Sequence, residues 1–202
     1  MDFDGLASGP QELAGASGVP GLGLDHGGGG AGGDTDAGAS GSAGAAGSGG
    51  SAVLTNLISN SGFEEGTSGW AAVGGCLLGL SSETPHTGSS CLLITKRAET
   101  WQGPGYDART SLTPNATYRA TIWARVPDGS QTMQLTYKHH CEDQTDDTYT
   151  PFGSARVSTD WTELSASFVV PDCKSQSLIY VEGPAAEADF YIDDASLVLE
   201  TP

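Results

Sequence analysis

The chain has 202 residues, of which 30 are glycine, and its formal net charge is −17 at pH 7. So acidic a surface repels phosphate backbones and anionic lipid headgroups, which argues against nucleic acid and membrane surfaces as partners. No apolar run is long enough to span a bilayer, and the first residues lack the basic and apolar stretches of a secretion signal.

Residues 1–52 differ sharply in composition from the rest of the chain. Of the 30 glycines, 18 lie within the first 50 positions, together with six acidic residues and no Lys or Arg. So little apolar surface cannot offset the entropy lost when a backbone becomes ordered. We therefore predict a disordered Gly/Ala/Ser-rich linker over residues 1–52 and one folded module over residues 53–202.

From residue 54 onward, short runs rich in Val, Ile, Thr, Tyr and Trp are separated by Gly, Pro, Asn and Asp. Regularly spaced short strands of this kind predict an all-β, antiparallel β-sandwich. The predicted strands are 54–58, 70–73, 76–81, 90–96, 102–107, 117–126, 131–139, 148–157, 162–170, 177–182 and 189–199.

Alternation in the predicted strand 177–182 separates an inner from an outer face. Ile179 and Val181 are apolar and point inward, so Tyr180 and Glu182 point outward. An aromatic face and a carboxylate about 7 Å apart along a strand suit a sugar, which offers apolar C–H faces and hydroxyl groups. The alternative is that Tyr180 fills a hollow under a loop and Glu182 is merely solvated.

Two tryptophans also stand in unusual positions. Trp101 lies in a turn-rich segment, where it forms either a surface platform or a cap on the core. In the predicted strand 117–126 the even positions are apolar, which leaves Trp123 on an otherwise polar face.

The predicted module contains four cysteines without a CxxC spacing, which makes zinc and redox sites poor interpretations. Two disulfides are the favoured interpretation, with three possible connectivities. Cys76 and Cys91 each begin a short apolar strand, and Cys141 and Cys173 both lie near strand ends. We predict the pairs Cys76–Cys91 and Cys141–Cys173, and with them an oxidising compartment.

Catalytic motifs are missing from the sequence. It has no GxSxG, HExxH, P-loop or GxGxxG motif. His139 and His140 beside Cys141 and Glu142 could suggest a metal cluster, but adjacent strand residues point to opposite faces. We therefore predict that the protein is not an enzyme.

The opening motif Asn56–Gly66, with Gly69 and Trp70 after it, closely resembles the start of carbohydrate-binding module families 4, 9 and 22. Residues 85–92 resemble their His-Ser-Gly stretch, and residues 190–197 resemble their closing strand. The resemblance covers nearly all of residues 54–200. It implies a jelly-roll sandwich of the galactose-binding-domain-like type.

Two further segments favour family 22, whose members commonly bind xylan. Residues 95–104 resemble its Asn-Arg-Thr-Ala-Thr-Trp-x-Gly-Pro segment, whose tryptophan contributes to the sugar site, and residues 179–182 match the strand whose Tyr and Glu line the same cleft. The resemblance implies five sugar-binding residues, the last a weaker polar contributor: Trp101, Tyr149, Tyr180, Glu182 and Gln134.

One position departs from the family pattern. The family often has an Arg shortly after the opening Gly-Trp, and Val73 stands at about that place. Loss of a multidentate donor is expected to weaken or redirect xylan binding.

The resemblance also implies a structural calcium ion. Glu64 and Asp193 match the carboxylate positions, and backbone oxygens around Thr87 and Ser89 would add further ligands. Hard oxygen donors from separate segments are what Ca²⁺ uses. The alternative is that Glu64 only caps a turn.

Together these features predict a monomeric, extracellular, non-catalytic module that binds xylan, or mixed-linkage or β-1,4-glucan. It would keep an attached or partner glycoside hydrolase near its substrate. Two alternatives remain from other classes, because fold alone does not determine function. One is a surface or adhesion sandwich that binds a protein or another glycan, and the other is a small hydrolase with its own carboxylates.

Overall fold

The computed structural model describes residues 54–172 and 176–200, all of which lie in the unit Gly50–Pro202. The predicted linker over residues 1–52 lies outside them. The strands are β1 (Trp70–Val73), β2 (Leu77–Ser81), β3 (Cys91–Thr95), β4 (Gly103–Asp107), β5 (Thr117–Arg125), β6 (Ser130–His140), β7 (Thr148–Ser158), β8 (Thr162–Val169), β9 (Gln176–Glu182) and β10 (Phe190–Leu199).

These strands form two five-stranded sheets. The front sheet has the order β1-β4-β9-β6-β7, and the back sheet has the order β2-β3-β10-β5-β8. Neighbouring strands pair antiparallel in both, so the predicted antiparallel sandwich is confirmed. The core lies between the sheets, where Leu135 and Ile179 of the front sheet and Ile122 and Ile192 of the back sheet are fully buried. Within residues 54–172 and 176–200, no helix is long and apolar enough to cross a membrane.

Ten of the eleven predicted strands are confirmed to within one residue at each end, and the exception is 54–58. There the Leu57 N–H donates one backbone hydrogen bond to the Leu197 carbonyl, at 2.8 Å. The Asn56 side-chain oxygen accepts from the N–H groups of Ile58 (3.1 Å) and Leu197 (2.9 Å). Because this side chain occupies backbone donors that a ladder would use, the segment joins β10 without forming a strand.

The predicted Cys76–Cys91 disulfide is wrong, since both residues are buried free thiols. In the antiparallel β2–β3 pair, Ser81 faces Cys91, whereas Cys76 precedes the opposite end of β2. About five residues of strand, roughly 17 Å, separate the two, far beyond the ~7 Å that a disulfide allows between Cα atoms. Cys141 is buried, and Cys173 lies outside the described residues, so their pairing stays a prediction.

Candidate functional site: a cleft on the front sheet

A cleft of about 390 Å³ lies on the outer face of the front sheet. Its lining comes from β1, β7, β9 and the loop before β4, and consists of Val73, Trp101, Tyr149, Tyr180 and Glu182. Four of the five predicted sugar-binding residues therefore meet in one place, although the sequence separates the first from the last by some eighty positions.

Strand β9 supplies the floor of the cleft. Ile179 and Val181 are buried in the core, which confirms their inward direction, and Tyr180 points to the other face. Only 2% of Tyr180 is exposed, so neighbouring side chains cover it although it lies on the outer face of the sheet. The ring of Tyr149 stands edge-on to it, with 6.5 Å between ring centroids. Burial, with a contribution from the neighbouring Glu182, raises the pKa of Tyr180.

Glu182 is the carboxylate of the cleft. Its Oε1 atom accepts hydrogen bonds from the hydroxyl groups of Thr136 (2.5 Å) and Tyr180 (3.2 Å). Both bonds go to the same oxygen. Within the part of the chain that the structure describes, Oε2 has no hydrogen-bond donor, so it keeps its capacity to accept from a ligand hydroxyl.

A β-bulge turns Tyr149 toward the cleft. Leu135 of β6 faces Gly153 of β7, but Thr136 faces Pro151, so the pairing skips Phe152. Directly opposite residues share a face, and beyond this shift Tyr149 pairs with the outward Lys138. Without the extra residue, alternation from Gly153 would have sent Tyr149 into the core.

Trp101 forms one wall of the cleft from the loop before β4, and 45% of it is exposed. Its ring lies against Gly74, so a methyl group at Gly74 would collide with it. Gly74 also has a φ of 79°, a conformation that side chains other than glycine rarely adopt. The Gln102 amide donates to the Gly74 carbonyl and ties the loop to the turn after β1.

Val73 contributes an apolar side chain to the cleft lining. Val73 pairs with Gly103 on β4. A methyl at Gly105 would lie 2.9 Å from Val73 Cγ2 and 3.0 Å from Leu178 Cδ1, so the glycine lets these two side chains pack over the strand. Val73 thus brings an aliphatic group into the cleft, at about the position where the resemblance implied an arginine.

A second hollow of about 200 Å³ lies on the same sheet face. Its lining combines charged and apolar groups: Ala71, Asp107, Arg109, Lys138, Ser177 and Leu178. From Glu182 to Leu178 the two hollows follow β9 over roughly 13 Å, which is long enough for a chain-like ligand.

Gln134, the weaker predicted contributor, does not line the cleft. It faces Glu182 across β6 and β9, and its amide donates to the Thr136 hydroxyl at 3.3 Å. Thr136 is fully buried and contacts the carboxylate directly, so it is the polar residue that sequence reasoning missed. Its outward position on β6 was the available signal, but the register with β9 was not visible in the sequence.

Trp123 lies on the back sheet, far from this lining. Its ring stacks on His86, with centroids 4.0 Å apart and an interplanar angle of 16°. His86 is further held by Asp194, 2.6 Å from Nδ1. The outward aromatic in β5 is therefore covered by the loop before β3 and does not form an open platform.

Glu64, the first predicted calcium ligand, approaches the loop 86–90. Its Oε1 accepts from the backbone N–H groups of Ser89 and Ser90, at 2.9 Å each, and its Oε2 accepts from the Ser89 hydroxyl at 2.5 Å. These hydrogen bonds, chiefly that of the Ser89 hydroxyl, lower the pKa of Glu64.

Asp193, the second predicted calcium ligand, contacts the loop 86–90 from β10. It is fully buried, and its Oδ2 accepts from the N–H groups of His86 (2.8 Å) and Thr87 (3.3 Å). Burial raises the pKa of Asp193. The register with β5 shifts between Asp193 and Ser196, and the adjacent Asp194 accepts from the Thr87 hydroxyl at 2.8 Å.

The donor set in this region is compatible with calcium but incomplete. Within the described ranges, no group of three His, Cys, Asp or Glu side chains forms a ready metal site. Thr87 and Ser89 present N–H and hydroxyl groups to the carboxylates, where the resemblance implied backbone oxygens. Yet a fully buried carboxylate whose partners are N–H groups would gain from a cation, and hydroxyl and carboxylate oxygens are calcium donors.

A family model described as a carbohydrate binding domain matches residues 55–188. Endo-1,4-beta-xylanase A of Thermoanaerobacterium saccharolyticum is 32% identical over 148 residues, which is 72% of this chain and 13% of that protein. Endo-1,4-beta-xylanase A of Thermotoga maritima is 29% identical over 146 residues, or 70% of this chain and 14% of that protein. The chain thus spans only a small part of these relatives.

Solved structures share the fold. The CBM22-1 xylan-binding domain from Paenibacillus barcinonensis Xyn10C superposes with a TM-score of 0.67 at 23% identity, covering 74% of this chain and 97% of that one. The C-terminal family 22 carbohydrate binding module of Clostridium thermocellum Xyn10B gives a TM-score of 0.63 at 26% identity, covering 69% and 90%.

Proposed function

Because the chain belongs to the carbohydrate-binding domain family, we propose that its module binds xylan along the cleft of the front sheet, without catalysis. The observation that carries this proposal is the convergence of three aromatic side chains and one carboxylate on a single cleft. The similar xylanases and xylan-binding domains support the choice of polymer.

Trp101, Tyr149 and Tyr180 would supply the stacking surface. Trp101 and Tyr149 are 45% and 52% exposed, so a sugar can cover apolar area that water now covers. Tyr180 is already buried and would contribute mainly as a rigid floor. Contacts of this kind depend on flat apolar C–H faces, which β-linked sugars offer along the whole polymer.

Glu182 would accept hydrogen bonds from sugar hydroxyls. Each hydroxyl that leaves water needs a protein partner, and an ionised acceptor forms a stronger hydrogen bond than a neutral one. Thr136 and Tyr180 fix one carboxylate oxygen, so the group is oriented before the ligand arrives. Orientation in advance lowers the entropy cost of binding.

The proposal extends to a wider setting. The relatives are xylanases of which this chain resembles only a part, so we propose an attached or partner glycoside hydrolase that the module holds near its substrate. Since the polymer lies outside cells, we place the module there too, acting as a monomer.

Affinity electrophoresis in gels with soluble xylan, mixed-linkage β-glucan, a soluble β-1,4-glucan or no polymer tests the binding. Stronger retardation by xylan than by the other polysaccharides supports the proposal. Stronger retardation by either glucan would mean that this glucan, and not xylan, is the preferred ligand. If no polysaccharide retards the protein, the cleft is not a sugar site and a surface that binds proteins takes its place.

We further propose that calcium binds between Glu64, Asp193 and the loop 86–90 and joins these segments. The ion would neutralise the buried Asp193 carboxylate. When the free concentration of a ligand is about 100 times its Kd, binding stabilises the fold by roughly 2.7 kcal/mol. Chelation of calcium should therefore lower the melting temperature by about 5–10 °C. A Glu64→Gln variant should lose most of this response, and an identical melting temperature with chelator and with calcium would contradict the proposal.

A further inference from the structure

Arg97 is a charged side chain inside the module, with 2% of its surface exposed. It lies in the loop between β3 and β4, two residues after β3 ends. The preceding Lys96 has a φ of 53°, which turns the backbone out of the strand conformation at that point. A guanidinium keeps its charge in proteins, so its burial is costly unless its N–H groups are hydrogen-bonded.

The Arg97 guanidinium donates six hydrogen bonds, all to backbone carbonyl oxygens. Three acceptors lie in its own loop, which carries Trp101, and three lie in the loop that follows Glu182. The acceptors are Glu99 (3.2 Å), Thr100 (3.0 Å) and Gln102 (2.8 Å) in the first loop, and Pro184 (2.9 Å), Ala185 (3.1 Å) and Ala188 (2.7 Å) in the second.

The same two loops also contact each other directly. The Gly183 N–H donates to the Thr100 carbonyl at 3.0 Å, and the Glu187 N–H donates to the Arg97 carbonyl at 3.0 Å. A methyl group at Gly183 would collide with the guanidinium. The position directly after Glu182 therefore accommodates Arg97 only because it has no side chain.

We propose that Arg97 is a positioning residue of the sugar-binding cleft, because it ties the loop of Trp101 to the loop after Glu182. It thereby sets the separation between the stacking ring and the carboxylate. Arg97 is absent from the cleft lining, so it acts through these two residues. The inference rests on the proposed function.

The chemistry of the contact requires arginine. The planar guanidinium has five N–H donors in a fixed fork, which can reach carbonyl groups on two loops at once. A lysine ammonium has three donors instead of five and lacks the planar fork, so Arg97→Lys keeps the charge but leaves some of the six carbonyl groups without this partner. The two loops would then be less firmly held together.

The test uses the full chain with its four tryptophans replaced by 5-fluorotryptophan. A Trp101→Phe variant assigns the Trp101 signal in the ¹⁹F NMR spectrum. In Arg97→Lys we expect that signal to shift or broaden, while the signals of Trp70, Trp123 and Trp161 stay in place. Retardation by xylan should weaken about tenfold, the loss that corresponds to about 1.4 kcal/mol.

Arg119→Lys is the matched control. Arg119 is exposed on the back sheet and pairs with Glu200 at 2.8 Å, so its replacement should change neither the four signals nor the retardation. If Arg97→Lys does not fold, Gly183→Ala provides a second variant, since its methyl group displaces the guanidinium while the charge remains. The methyl group also meets the buried Phe190 ring, so a thermal melt must show that this variant is folded. It should give the same selective change at Trp101.

Each outcome has one meaning. An unchanged Trp101 signal, a change in all four tryptophan signals alike, or full retardation despite a shifted Trp101 signal would overturn the positioning role. If xylan fails to retard the wild type, the proposed function fails, whereas the Trp101 signal still reports whether Arg97 holds the loop. A selective change at Trp101 together with weaker retardation supports the inference.

Discussion

Replacing Trp101 by alanine removes an exposed aromatic wall of the cleft. The residue is 45% exposed. Taking about 250 Å² for a tryptophan side chain, about 110 Å² remains for a sugar to cover. At roughly 25 cal/mol per Å² this area is worth about 2.8 kcal/mol, or about 1.4 kcal/mol if the sugar covers one face of the ring. We therefore expect a loss of affinity for xylan between about tenfold and a hundredfold.

Affinity electrophoresis over a series of xylan concentrations measures this loss. Trp101→Phe keeps a smaller stacking face and should fall between wild type and Trp101→Ala. Leu77→Ala is the matched control, because Leu77 is 49% exposed but lies on β2 of the back sheet. A thermal melt of each variant shows whether the fold is intact at the temperature of the gel.

Equal retardation of the wild type and Trp101→Ala would refute the reasoning. It would mean that the ring adds no differential contact with the polymer. If Leu77→Ala lost as much affinity for xylan as Trp101→Ala, this would also refute it, since the effect would then come from a general loss of exposed apolar surface.

Three further predictions concern local conformation, thiols and pH. Gly74→Ala should weaken retardation by xylan about tenfold while the fold persists, because its methyl group displaces the Trp101 ring and alanine disfavours the positive φ of this turn. A retardation equal to that of the wild type would contradict this. Under non-reducing conditions, Cys76 and Cys91 should react with a thiol reagent only after unfolding, and peptide mapping that finds them joined would contradict their free state. Burial lowers the pKa of His139 from its ordinary value of 6.5. The unfolded chain therefore takes up this proton first as the pH falls through and below about 6.5, and the free energy of unfolding should decrease by at most about 1.4 kcal/mol per pH unit. Denaturant titrations of wild type and His139→Gln between pH 7 and 5 measure the difference in slope, which should be absent if His139 ionises alike in both states.

The sequence alone determined the strands and the outward direction of the β9 side chains. Apolar and polar residues alternate along each strand, and this period is a local property that needs no knowledge of neighbours. Ile179 and Val181 are buried, and Tyr180 and Glu182 belong to the cleft face, as alternation predicted. The segment 54–58 failed as a strand because the Asn56 side chain takes backbone donors, a competition that apolar patterning does not register.

Register and contacts between distant segments were decided only by the tertiary structure. Cys76 lies just before β2 and Cys91 begins the neighbouring β3, yet antiparallel pairing places the starts of these strands at opposite ends. Tyr149 reaches the cleft through a bulge that alternation along β7 could not reveal, although the family resemblance named the residue. Arg97 gained its six partners from two loops almost ninety residues apart. Such contacts depend on how two segments align in space, whereas sequence patterns report only the faces of each segment.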